Sequence, residues 1–200
     1  MQRLTTTTKV ISHIAELPEG VPIGAKGLLH LGSRPAIDQA LSRLVERGQL
    51  MRIGRGLYVR PVETRFGKRP PSVDRVIQAL ASSKGEVVAS HGAAAANALG
   101  LTTQVPARAV YLTSGRSRWL RLGEQSVELR HAPRWQLTMA TSPTGQAIRA
   151  LAWVGEARAG EALRTLWPRM QASVRQEIIN ARPSLPTWLA RQISEFVRNG

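Results

Sequence analysis

The sequence predicts an α+β protein in two parts, a basic unit of three helices and a β-hairpin, then a mixed α/β unit with a helical C-terminal part. Two observations support this prediction. Apolar residues recur at helical spacing near both ends of the chain, and short runs between them alternate apolar and polar residues as half-buried strands do. The 200 residues are 42% hydrophobic, which is enough for a packed core and argues against wholesale disorder.

Three helices are expected at the start of the first unit, residues 1–60. The first helix begins among Thr5–Thr8, which are all suitable N-caps, and the second covers about Ala25–Leu31. Gly32 closes the second helix. Ser33 then stands at the N-cap of the third helix, with Pro35 in the first turn, where a missing N–H costs nothing.

A β-hairpin is expected directly after the third helix. Its strands are Leu50–Ile53 and Leu57–Arg60, and Gly54-Arg55-Gly56 joins them. Glycines at both ends of a three-residue connection permit the positive φ of a tight hairpin. Three helices with a Gly-containing turn between the second and third, then a hairpin, are typical of a winged helix-turn-helix.

The charge balance indicates a polyanionic partner. The chain has 28 Lys+Arg, of which 24 are Arg, against 13 Asp+Glu, and its formal net charge is +15. The forked guanidinium of Arg suits phosphates and guanine edges. The candidate DNA-binding residues are those that the third helix and the hairpin present outward or at their tips. They are Ser33, Arg34, Gln39, Ser42, Arg43, Arg52, Arg55 and Arg60.

These side chains have distinct expected roles. The amide of Gln39 can pair bidentately with adenine, and Arg43 can reach guanine or a phosphate. Backbone N–H groups near Ser33 can hold a phosphate at the positive end of the helix dipole. Arg55, at the hairpin tip, is expected on the DNA backbone or in the minor groove. The alternative is a small winged helix with solvated charges that binds another protein.

A second unit, residues 72–200, is expected beyond a basic, Pro-rich linker at 61–71. It begins with a helix capped by Ser72 and continues with an Ala-rich helix, Gly92–Leu99. Helices follow from Ser142 to the end. The expected strands are Glu86–Ala89, Ala109–Thr113, Trp119–Leu122 and Ser126–His131. The five tryptophans are expected in the core, with base stacking as the alternative; they are Trp119, Trp135, Trp153, Trp167 and Trp188.

Five stretches carry a resemblance to a known family: Gly32–Leu44, Gly54–Tyr58, Arg65-Phe66-Gly67, Gly92–Ala107 and Val110–Gly115. Together they resemble the AbiEi-type antitoxins of bacterial type IV toxin–antitoxin systems, which act in phage defence, over about residues 8–155. The resemblance implies a winged helix that binds and represses its own promoter. It also implies a C-terminal domain that counteracts a nucleotidyltransferase-fold toxin, with or without direct contact. It places the DNA role on Ser33, Arg34, Gln39, Ser42, Arg43 and Arg55, and assigns no residue to the antitoxin role.

Two other functions stay open. One is a stand-alone winged-helix regulator whose C-terminal domain senses a protein or a ligand. The other is an RNA-binding protein that uses a secondary basic patch, formed by Arg108, Arg116, Arg118, Arg121, Arg130 and Arg134.

An enzyme is not expected, and neither is a cofactor or a metal. The sequence has no cysteine, no Gly-x-x-x-x-Gly-Lys-Ser/Thr loop, no His-Glu-x-x-His and no Gly-x-Ser-x-Gly, and its four histidines are scattered. No apolar run follows the first residues as in a secretory signal, and the longest charge-free stretch, 87–107, is too polar to span a bilayer. A soluble, cytoplasmic protein without a membrane partner is therefore expected.

Overall fold

The computed structural model describes residues 5–199, and the chain divides into two compact units. Unit 1 consists of Met1–Glu86 and Arg118–Glu128, and unit 2 of Val87–Ser117 and Leu129–Gly200. The α+β class is confirmed. The outer ends of the two expected domains, residues 1–4 and 200, lie outside the described residues.

Unit 1 begins with the three expected helices. They are α1, Thr6–Ala15, a 3₁₀ helix, Ala25–Leu31, and α2, Arg34–Glu46. Thr5 caps α1 because its side chain accepts a hydrogen bond from the Thr8 amide. The inward faces of these helices form one buried cluster; it includes Val10, Ile14, Leu28, Ile37, Leu41 and Leu44.

The first hairpin pairs β1, Met51–Gly54, with β2, Leu57–Val59, antiparallel. Its turn is tighter than expected, since Gly54 belongs to the strand and only Gly56 has a positive φ, +65°. The sequence reasoning missed a further pairing. Ile23, between α1 and the 3₁₀ helix, exchanges both backbone hydrogen bonds with Tyr58, at 2.7 and 2.9 Å.

The expected linker is instead a second hairpin. The strand β3, Val62–Thr64, pairs antiparallel with β4, Gly67–Arg69. The prolines that suggested a linker lie outside these strands, where they remove no ladder hydrogen bond. Pro61 and Pro71 are themselves buried, so the segment is anchored to unit 1 at both ends, while residues 63–69 between them are exposed.

The expected boundary at residue 72 is also absent, because unit 1 continues past it. The helix α3, Val73–Lys84, is capped by Ser72 as predicted. The strand β7, Arg118–Leu122, and the first half of β8, Gln125–His131, also belong to unit 1. Arg118 joins the two chain segments of this unit, because its Nη1 and Nη2 donate to Glu86 Oε1 and Oε2 at 3.0 and 2.5 Å.

Unit 2 contains two short strands and most of the helices. The strand β5, Val88–Ser90, pairs antiparallel with β6, Ala109–Thr113, with Val88 opposite Thr113 and Ser90 opposite Tyr111. The helices are α4, Gly92–Ala98; α5, Arg134–Leu137; α6, Pro143–Val154; α7, Glu156–Leu166; α8, Ala172–Ala181; and α9, Thr187–Asn199. Short 3₁₀ helices, Trp167–Arg169 and Arg182–Ser184, follow α7 and α8.

The tryptophan prediction is confirmed for four residues and wrong for one. Trp135, Trp153, Trp167 and Trp188 are partly buried against the core of α6 to α9. Trp119 is 54% exposed in unit 1. Leu120 and Leu122 take the inward positions of β7, and the alternation of side chains along a strand turns Trp119 outward.

The packing of α2 generates a stability prediction. Leu41→Ala should lower the free energy of unfolding by about 2–5 kcal/mol, because it leaves a cavity beside α1. The control Leu29→Ala removes a side chain that is 45% exposed and should change it by less than about 0.5 kcal/mol. Urea denaturation measures both variants. A loss below about 1 kcal/mol for Leu41→Ala would contradict the assigned inward face of α2.

Candidate nucleic-acid interface

The helix α2 turns one face into the core of unit 1 and leaves the other to solvent. Ile37, Leu41 and Leu44 are buried, whereas Gln39, Ser42 and Arg43 are exposed. Residues three and four positions apart on a helix share a face. The exposed side chains of α2 therefore form one polar strip.

The N-terminus of α2 is open to an anion. Ser33 is at the N-cap position in an extended conformation, but its hydroxyl caps no amide among the described residues. The first N–H groups of a helix have no partner within it and lie at the positive end of its dipole. Arg34, in the first turn, is partly neutralised because its Nε donates to Asp38 Oδ2 at 2.8 Å.

The first hairpin places a cation at its turn. Arg55 precedes Gly56 there and is exposed. The guanidinium groups of Arg55 and Arg43 form no hydrogen bond or ion pair with any described residue. Arg52, on β1, is also exposed, and its Nε reaches only the Gly54 carbonyl at 3.4 Å. The guanidinium donors of Arg43 and Arg55 are therefore available to a ligand.

Arg60 is exposed, but its guanidinium is engaged within unit 1. Its Nη1 donates to the Ala15 carbonyl at 2.9 Å and its Nη2 to the Leu17 carbonyl at 3.3 Å. The last carbonyls of a helix lack partners within it, and a cation stabilises that end. Arg60 thus stabilises the C-terminal end of α1. In this it differs from Arg43 and Arg55, whose guanidinium donors have no described partner.

Sequence reasoning assigned the basic residues of the second hairpin to a linker and not to the candidate site. Arg65 and Phe66 form its turn, and Lys68 and Arg69 lie on β4. The Lys68 Nζ donates to the Gly48 carbonyl at 3.0 Å, just beyond the end of α2. Two features of the sequence could have indicated this hairpin: the β-branched Val62 before the turn and Gly67 after it.

The predicted secondary basic patch is divided between the two units. Arg108, Arg116, Arg130 and Arg134 belong to unit 2, while Arg118 and Arg121 belong to unit 1. Arg118 is engaged by Glu86, and the two side chains are only 18% and 14% exposed. The structure therefore gives Arg118 a structural role and does not gather all six arginines within one unit.

A cavity of about 490 Å³ lies within unit 1, lined by α1, the end of α2 and the second hairpin. Its apolar wall includes Ile11, Ile14 and Leu50, and its charged lining includes Glu19 and Lys68.

Within residues 5–199, no group of three or more His, Cys, Asp or Glu side chains could hold a metal ion. Among the same residues, no helix is both long enough and apolar enough to cross a membrane.

A family model matches residues 9–179, which include elements of both units. The chain belongs to the DUF6088 family. DUF6088 is described as a family of unknown function. No curated protein and no solved structure matches the chain. The DUF6088 description names no activity, ligand or partner.

The two kinds of arginine give a stability prediction. Arg60→Ala leaves the carbonyls of Ala15 and Leu17 without their donor and should lower the free energy of unfolding by about 1–2 kcal/mol. Arg55→Ala removes a side chain with no described partner and should change it by no more than about 0.5 kcal/mol. Urea denaturation of the full chain measures both. Equal effects for the two variants would contradict the separation of anchoring and available arginines.

Proposed function

We propose that this DUF6088 protein binds double-stranded DNA through α2 and the first hairpin, which together act as a winged helix-turn-helix. The order of α1, the 3₁₀ helix, α2 and the β1–β2 hairpin supports this fold. The observation that carries the proposal is the set of available donors on one helix and one turn. Gln39, Arg43 and Arg55 are exposed, and the two arginines have no described partner.

In this proposal α2 lies in the major groove with its N-terminal half toward the bases. Gln39 reads an adenine through its amide, and Arg43 donates to a guanine or to a phosphate. The open N-terminus of α2 at Ser33 binds a backbone phosphate. Arg55 contacts the adjacent backbone or minor groove. The net charge of +15 favours association with a polyanion and makes binding salt-dependent.

We further propose that the chain is an autorepressor and also an antitoxin. It is supported by the resemblance to AbiEi-type antitoxins, which extends into unit 2 over Gly92–Ala107. The chain would repress its own promoter through unit 1 and counteract a nucleotidyltransferase-fold toxin through unit 2. A plain regulator without a toxin is the competing function, and the experiment below separates the two.

Two substitutions test the DNA-binding proposal through different properties. Gln39→Ala should weaken binding to the promoter upstream of the gene by about 1–3 kcal/mol and leave binding to a random duplex nearly unchanged, because it removes a bidentate base contact. Arg55→Ala should weaken both equally and lower the slope of log K against log salt by about 0.9, because it removes a phosphate contact. Fluorescence anisotropy at several salt concentrations measures these effects.

Each variant can contradict its own assignment. If Gln39→Ala weakens every duplex equally, Gln39 does not read a base. If Arg55→Ala leaves the salt slope unchanged, the turn of the first hairpin is not on the phosphates. Failure of the full chain to bind any duplex would reject the DNA-binding proposal.

The antitoxin proposal calls for variants of the full chain, because unit 1 is built from two chain segments and no single cut separates it from unit 2. Gln39→Ala/Arg43→Ala/Arg55→Ala should abolish repression of the promoter and still rescue cells that express the adjacent nucleotidyltransferase-fold gene. The matched control is Arg108→Ala/Arg134→Ala, which removes two exposed cations from unit 2 and should leave repression intact. Colony counts and a promoter gel shift measure the two functions.

Two outcomes would contradict this division of functions. If the wild-type chain gives no rescue, the plain-regulator function replaces the antitoxin function. If the wild-type chain rescues and the folded triple variant does not, unit 1 takes part in neutralisation and the two functions are not separate.

A further inference from the structure

The turn of the second hairpin exposes an aromatic ring. Phe66 is 85% exposed, more than any other large hydrophobic residue that the structure describes. Exposed apolar residues are common on protein surfaces, so exposure alone has little meaning. The informative features of Phe66 are the rigidity of its turn and the charges around it.

The turn is held by its own hydrogen bonds. The Thr64 Oγ1 donates to the Gly67 carbonyl at 2.7 Å and accepts from the Phe66 amide at 3.2 Å. Gly67 has φ +105°, a conformation that other residues rarely adopt. The Arg65 guanidinium lies 4.6 Å from the centre of the Phe66 ring, within the range of a cation–π contact. The ring therefore projects from an ordered turn.

The surroundings of the ring are basic. Arg65, Lys68 and Arg69 are within three residues of Phe66, and Glu63 is the acidic residue of the same hairpin. The Lys68 Nζ is engaged within unit 1, because it donates to the Gly48 carbonyl at 3.0 Å and lies 3.8 Å from Glu63 Oε1. It connects the hairpin to the end of α2. Arg65, beside the ring, and Arg69, on the same hairpin, are exposed cations; the Arg69 Nη1 donates to the Pro70 carbonyl at 3.2 Å, and its other donors have no described partner.

We propose that Phe66 inserts between base pairs in the minor groove of the duplex that α2 binds, while Arg65 and Arg69 contact the flanking phosphates. This inference rests on the proposed DNA-binding function. Proteins that bend DNA often insert an apolar side chain between base steps, and basic side chains beside it hold the backbone. A phosphate does not attract an apolar ring, so the ring is placed toward the bases and the guanidinium groups toward the backbone.

The measurable consequence is a bend in the DNA. The probes are a 40-base-pair duplex from the region upstream of the gene and a random duplex of the same length, each with a donor and an acceptor dye at its ends. The wild-type chain should raise energy transfer on the upstream duplex. Phe66→Ala should lose the rise and weaken binding about tenfold, because the loss of the wedge removes the contacts that the bend permits.

Two variants keep this test specific. Phe66→Leu should retain most of the bend, because leucine also serves as a wedge. Val105→Ala removes an apolar side chain of unit 2 that is 79% exposed and should change neither affinity nor bend. Thermal melting should be unchanged in Phe66→Ala, since an exposed ring contributes little to the fold.

The outcomes separate this inference from the function on which it rests. If the wild-type chain binds the duplex and Phe66→Ala binds and bends it equally, the wedge is overturned and the DNA-binding function stands. If the wild-type chain binds without bending, the wedge is again overturned. If it binds neither duplex, both are overturned. Binding of the wild-type chain to phosphatidylglycerol vesicles that requires Phe66, without duplex bending, would assign the ring to a membrane surface instead.

Discussion

Burial of one face of α2 is the constraint on which the surface of unit 1 depends. Ile37, Leu41 and Leu44 are removed from water together with Val10 and Ile14 of α1. A helix has a fixed angle between successive side chains, so the buried positions determine the exposed ones. The strip that carries the proposed base contacts is thus a consequence of hydrophobic packing, and a change in the core would rotate it.

Internal hydrogen bonds then decide which cations remain for a partner. Arg60 is engaged by the end of α1, Lys68 by the carbonyl beyond α2, and Arg118 by Glu86. Arg43 and Arg55 have no comparable partner among the described residues. The 28 Lys and Arg side chains therefore overstate the number that can meet a polyanion, because Arg60, Lys68 and Arg118 are engaged within the fold.

The division of the chain bears on how its functions can be separated. Glu86 is the last residue of the first chain segment of unit 1, and Arg118 is the first residue of the second. Their ion pair joins the two segments at the points where the chain leaves unit 1 and returns to it. Removing one partner of a largely buried pair leaves an uncompensated charge. The DUF6088 match includes residues of both units and assigns a function to neither. The proposed DNA binding therefore rests on the residues of unit 1, and the proposed antitoxin function on the resemblance in unit 2.

The sequence by itself determined the local elements, because their causes lie within a few residues. Ser72 and Ser142 accept hydrogen bonds from the amides three residues on, and the inward positions of α2 follow its apolar period. The sequence also predicted that Gln39, Arg43 and Arg55 would be exposed. Tertiary structure alone decided the bridge from Ile23 to Tyr58, the anchoring of Arg60 and the pairing of Arg118 with Glu86. These contacts join residues 32 to 45 positions apart, and local patterns of apolar and polar residues carry no information about which distant groups meet.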